Sequence, residues 1–165
     1  MDKITIGQAE RLTSPAPFGL LATVKEDGSA NLMAISWWTY LSNHPATIGV
    51  CLSSKGLSHS LIEANGEFTL SIVGEELKNS AIRCGSCSGR TVDKPAEFGI
   101  GLVPSECVAA PAVKGSRAVF ECRLVSSAPA GDHVFYIAEA VNILGDASVN
   151  HLYAFDGYGR LDTVN

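Results

Sequence analysis

A chain of 165 residues with 46% hydrophobic and 18% charged side chains is too apolar to stay disordered and long enough to bury one core without staples. Its formal net charge of -5 argues against nucleic acid as the main partner. The start, Met1 to Gln8, has no apolar run of signal-peptide type, and no stretch reaches the length of a membrane span. The expectation is one domain over residues 1–165, cytoplasmic, with no membrane partner. The five cysteines are then free thiols, and the low charge leaves room for an apolar contact between copies, so a homo-oligomer is expected.

Residues 18–26 alternate, with Leu20, Ala22 and Val24 on one side, and Asp27-Gly28 supplies a hairpin turn. The chain returns from Ala30 to Tyr40. Leu32, Ala34, Ser36 and Trp38 share one face of this strand, and Asn31, Met33, Ile35 and Trp37 share the other. Neither face is purely polar, which predicts a strand covered on both sides. Asn43-His44-Pro45 forms a turn, and Ala46 to Ser53 a third strand. A helix of about two turns follows, with Leu57, Leu61 and Ile62 inward and Gly66 as its stop. Phe68 to Val73 is a fourth strand. Glu75-Glu76 favour the start of a helix that Arg83 and Gly85 end. Residues 85–115 read as loops and short pieces. Two alternating strands close the pattern, one through Phe120 and Leu124, the other through Phe135 and Val141, joined by a turn at Gly131-Asp132. Residues 151–165 read as a terminal arm. The spacing has no βαβ rhythm, so an antiparallel barrel, mainly β with a few short helices, is the expected architecture.

Ser53-Ser54-Lys55-Gly56-Leu57-Ser58 lies where a strand meets a helix. Hydroxyls, free helix N-terminal N–H groups and one ammonium form a recipe for holding phosphate, although a capped helix start uses the same residues. There is no GxxxxGK[ST] and no GxGxxG. Trp37 and Trp38 point to opposite faces, where one can line a ligand and the other the core or an interface. Cys84-Gly-Ser-Cys87 is either a redox dithiol or two free thiols at a helix C-terminus; a zinc site lacks its second pair. His59 and His133 are the histidines placed for acid–base work or for structure.

Taken together these residues resemble the flavin-reductase-like, FMN-binding split-barrel family, which includes flavoredoxin and the small reductase components of two-component monooxygenases. The resemblance is carried, in order, by Asn31-x-Met33-x-x-Ser36-Trp37, by Ser53-Ser54-Lys55 to His59-x-Leu61-Ile62, by Gly66-Glu67-Phe68 to Val73, by Cys84 to Lys94, and by Glu121-Cys122 through Gly131-Asp132-His133 to Val141. Leu152-Tyr153 and Tyr158-Gly159 are similar to the family's end. It implies a Greek-key split barrel, a homodimer, and FMN near the subunit interface. It places Asn31, Met33, Ala34, Ile35, Ser36 and Trp37 along the flavin ring, and Ser53, Ser54, Lys55, Ser58 and His59 around the phosphate and ribityl chain. The segment Ser88-Gly89-Arg90-x-x-Asp93-Lys94 completes the pocket, with Lys94 a candidate anion contact, and His133 is the catalytic candidate beside the flavin or nicotinamide. No metal is implied. Cys87 and Trp38 depart from the family's smaller residues. Two functions follow: an NAD(P)H:flavin oxidoreductase, or a flavoredoxin-like carrier that takes electrons from a reduced protein. A split barrel whose pocket holds no flavin is the third reading.

Overall fold

The computed structural model describes residues 1–164. In chain order the elements are α1 (Ile6–Leu12), β1 (Ala16–Pro17), β2 (Gly19–Val24), β3 (Ala30–Ile35), β4 (Trp38–Asn43), β5 (Ala46–Ser53), α2 (Leu57–Asn65) and β6 (Glu67–Val73). A 3₁₀ turn, Glu75–Leu77, leads into α3 (Lys78–Gly85) and then α4 (Lys94–Phe98). The chain ends with β7 (Leu102–Val103), β8 (Ala112–Val113), β9 (Ser116–Ala130), β10 (His133–Gly145), β11 (Tyr153–Phe155) and β12 (Arg160–Asp162).

Seven strands form one antiparallel sheet in the order β3-β2-β6-β9-β10-β5-β4. Strands β3 and β4 are its two outer edges, yet only Ser36 and Trp37 separate them in sequence. Two residues cannot span an open sheet of that width, so the sheet curls until its edges meet. The result is a split barrel, with no ladder between β3 and β4. Three local hairpins, β2–β3, β4–β5 and β9–β10, supply most of the pairing, and β6 enters between β2 and β9 to complete the Greek-key order.

The single strand expected from Ala30 to Tyr40 is therefore two strands. The chain must leave one edge of the sheet at Ile35 and join the other at Trp38. Trp37 pins this crossing: its carbonyl accepts the Cys51 N–H at 2.9 Å.

Two cores flank β2 and β3. Leu21, Ile35, Val50, Phe68, Phe120 and Tyr136 fill the barrel. Leu20, Ala22, Leu32, Ala81, Leu152 and Leu161 pack outside it, under α3 and the C-terminal hairpin. This double covering explains why β2 is buried along both faces and reads as a continuous apolar run. Residues 151–165, expected as an arm, instead carry part of the second core: β11 pairs with β1 and β12, and Leu152, Ala154 and Leu161 are buried. Asn165 lies outside the described residues. Helix α1 was also not foreseen. Thr5 and Gln8 close a capping box at its start, but it buries no residue of its own.

Candidate active site

β3 is an edge strand paired only with β2, so alternate backbone N–H and C=O groups along its other side lack a ladder partner. Beside that edge lies a groove of about 570 Å³. Met33, Ala34, Ile35 and Trp37 form one wall, and Cys51, Leu52, Ser53 and His133 another. The rest of its lining comes from both ends of the chain: Gly7, Glu10 and Arg11 of α1, and the turn at 156–159. Trp37 and His133 stack at 4.9 Å between ring centres, tilted by 36°. The Trp37 indole N–H donates to Glu10 Oε1 at 3.2 Å. Ser36 donates its backbone N–H to the Tyr158 hydroxyl at 2.9 Å, and Arg11 pairs with Asp156 at 3.5 Å.

A second cavity of about 310 Å³ continues from the first, sharing Met33 and Ser53 with it. Asn31, Lys55, Ser58, Ser88, Gly89 and Lys94 line it, together with Arg90. The turn after β5 is tight, with Gly56 N–H bonded to the Ser53 carbonyl at 3.0 Å. Gly56 caps α2 without any side-chain hydrogen bond, which leaves the first-turn N–H groups of that helix without a side-chain cap. Arg90 reaches across and donates to the Lys55 carbonyl at 3.3 Å. The cavity thus gathers two exposed cations, several hydroxyls and a helix N-terminus.

Three of the expected residues are committed to the scaffold. Asn31, 3% exposed, donates its amide to Thr23 Oγ1 at 3.1 Å and to Ser58 Oγ at 3.0 Å, which ties β3 to α2. Gly89 packs against it so closely that a Cβ there would meet Asn31 Oδ1 at 1.9 Å. Lys94, 4% exposed, donates its ammonium to the Cys84 carbonyl at 2.6 Å, and burial lowers its pKa. An ammonium has three protons to donate, so this bond leaves others for the cavity Lys94 lines.

Ser54 faces away from both cavities. Its hydroxyl and N–H both donate to the Asp132 carbonyl, at 3.0 and 3.1 Å, and tie the turn to the β9–β10 hairpin. His59 likewise lines neither cavity and meets Tyr136 instead. His133 is held by Asp132, whose Oδ1 lies 2.8 Å from its Nδ1; that hydrogen bond and the imidazole's charge hold the Asp132 carboxyl below its ordinary range.

Cys51, α1 and the 156–159 turn join the site without a local sequence signal of their own role, while Arg90 belongs to the 88–94 segment expected at the pocket. The chain ends reach the groove only because the barrel closes beneath them. The two cysteines of Cys84-Gly-Ser-Cys87 differ: Cys87 borders the second cavity, while Cys84 is buried in the second core, and burial pushes its thiol up to about 11. Among the described residues no cluster of three or more His, Cys, Asp or Glu could hold a metal, and no helix is long and apolar enough to cross a membrane.

Residues 11–162 match the family model described as flavin reductase like domain. The chain belongs to that family. A protein of no assigned function from Archaeoglobus fulgidus is 33% identical over 118 residues, covering 71% of this chain and 67% of its own. The NADH-dependent flavin reductase StyB of Pseudomonas fluorescens is 29% identical over 133 residues, 79% of this chain and 72% of its own. Among solved structures, the flavoredoxin of Desulfovibrio vulgaris (Miyazaki F) superposes with a TM-score of 0.86 at 27% identity, covering 99% of this chain and 94% of that one. This chain spans about half to two thirds of the length of the archaeal relatives it matches.

Proposed function

We propose that this protein binds FMN and works as an NAD(P)H:flavin oxidoreductase. One observation carries the reading: the groove along β3 and the cationic cavity beside α2 are joined through Met33 and Ser53. A flat ring with an anionic tail is the ligand shape that uses both. The free edge of β3 offers backbone donors and acceptors to the rim of a ring. Lys55, Arg90 and the first turn of α2 suit a phosphate carrying about −1.5 to −2 charges. The open, cationic end favours FMN over uncharged riboflavin.

A bound flavin supplies the hydride chemistry, which requires stacking and orientation and no protein nucleophile. The chain's own residues then have three tasks. Trp37 and His133 wall the groove and restrict how a second ring can lie there. Asp132 orients the His133 imidazole through Nδ1, leaving Nε2 to donate to or accept from the reactants. The α1 helix and the Tyr158 turn border the groove and, through Glu10 and the Tyr158 hydroxyl, hold Trp37 and Ser36 in place.

Steady-state oxidation of NADH and NADPH with added FMN tests this reading. Turnover with either supports it, and flavin binding without turnover transfers support to an electron carrier. That second reading is favoured by the likeness to flavoredoxin over 99% of the chain. The pairing of two copies near the flavin is also proposed. Tyr40, Leu41, Ile143 and Leu144 are exposed apolar side chains on neighbouring parts of the sheet, suited to a second copy. Five free cysteines fit a reducing cytoplasm.

A further inference from the structure

Tyr136 on β10 is wholly buried, and its hydroxyl sits at the barrel wall beneath α2. His59 Nδ1 lies 2.5 Å from that hydroxyl. Glu63 lies one turn further along α2; burial first and this carboxylate second keep the phenol protonated. A phenol has one proton to donate. Whether it goes to Nδ1 or the oxygen accepts Nδ1–H, His59 fastens α2 to the barrel through this one atom.

The position of this bond gives it its consequence. His59 follows Ser58, whose hydroxyl accepts from the Asn31 amide of β3. The first turn of α2 is thus held from one side by β3 and from the other by β10. Gly56 supplies no side-chain cap, so these two side-chain bonds, rather than a cap, set where the first-turn N–H groups point.

We infer that the His59–Tyr136 hydrogen bond is a positioning clasp that aims the first turn of α2 at the anionic end of the flavin. This rests on the proposed function, in which that turn holds the phosphate. His59 then acts through the helix and touches no ligand. Loosening the clasp lowers affinity for the phosphate-bearing flavin and spares affinity for the ring.

The test compares FMN with riboflavin, which has the ring and no phosphate, by fluorescence quenching on the full chain. His59→Leu and Tyr136→Phe each remove the bond. His59→Asn keeps an amide near the Nδ1 position and serves as the rescue. The wild type is expected to prefer FMN by more than about tenfold, the scale of a charged hydrogen bond. Each single variant lowers that preference about fivefold, with riboflavin affinity changed by less than about twofold. The double variant is no worse than the worse single, because both remove one bond. His59→Asn recovers most of the preference. Folding is checked by far-UV circular dichroism, and if Tyr136→Phe fails to fold, His59→Leu on the half-buried helix side carries the comparison.

An unchanged FMN-over-riboflavin ratio in the folded variants overturns the clasp, as does an equal loss for both ligands, which marks a general packing defect. A wild type that binds neither flavin, or binds both equally, overturns the phosphate turn itself and the clasp with it. The wild-type arm therefore separates failure of the proposed function from failure of the inference.

Discussion

Gly89→Ala is the sharpest perturbation of the site. The added Cβ would lie 1.9 Å from Asn31 Oδ1, 3.0 Å from its Cγ and 3.3 Å from Leu57 Cδ2. Something must move. If Asn31 yields, its amide leaves Thr23 and Ser58, two buried hydrogen bonds at 3.1 and 3.0 Å. A buried polar group left unsatisfied costs about 1–3 kcal/mol, so the pair amounts to about 2–6 kcal/mol. In a domain of this size that lowers the melting temperature by roughly 4–24 °C. If the 88–90 turn yields instead, stability is spared and the second cavity widens, with Ser88 and Arg90 drawn from it. The two routes are told apart by measuring thermal unfolding and FMN affinity on the same sample. A loss in either one agrees with the geometry. A variant that melts within about 1 °C of wild type and binds flavin equally well refutes the close packing of Gly89 on Asn31.

Lys55→Ala should weaken FMN by about 1–2 kcal/mol, the scale of one charged hydrogen bond, while riboflavin binding stays near the wild-type value; equal effects on both would place the phosphate elsewhere. Glu121 is fully buried on β9, and its carboxylate accepts the N–H of Cys107 at 2.6 Å, the N–H of Glu106 at 3.1 Å and the Asn142 amide at 3.1 Å. Burial alone would push this carboxyl up, but those donors outweigh it and hold it below its usual 4.5. Its contribution to stability is therefore complete above about pH 4.5 and lost as the pH falls through the lower folded value. Glu121→Gln should cost about 1–3 kcal/mol at neutral pH and flatten the acid limb of the stability–pH profile built from urea denaturation at each pH, and an unchanged limb would count against this carboxylate. Cys84→Ser together with Cys87→Ser should leave NAD(P)H oxidation within about twofold of wild type, because a buried thiol pushed up to about 11 supplies no thiolate at neutral pH. A loss beyond tenfold would restore the dithiol.

What could be read from the sequence is what local chemistry decides. Asp27-Gly28 makes its turn because Gly28 takes φ +82° and Asp27 Oδ1 accepts the Ser29 N–H at 2.9 Å. Gly66 ends α2 in the left-handed conformation, as its position after an apolar run implies. The covering of Leu32 and Ile35 on opposite faces followed from their alternation. What escaped was set by distant contacts. Alternation continues through Ser36 and Trp37, so nothing local marks the crossing between sheet edges. The α1 helix and the 156–159 turn reach the groove only after the barrel closes. His59 sits among phosphate-type residues, yet a buried hydroxyl 77 positions away turns it inward. Asn31 and Lys94 carry ligand-type side chains, but the fold ties the Asn31 amide nitrogen to Ser58 and one Lys94 proton to the Cys84 carbonyl.

We propose that the groove along β3 and the cavity beside α2 form one flavin site. Titration of FMN into the purified protein, followed by quenching of flavin fluorescence, tests it most directly. Saturable quenching at one flavin per chain, tighter for FMN than for riboflavin, is the predicted result. Flavin fluorescence that stays unquenched at protein concentrations in excess of the ligand would contradict it.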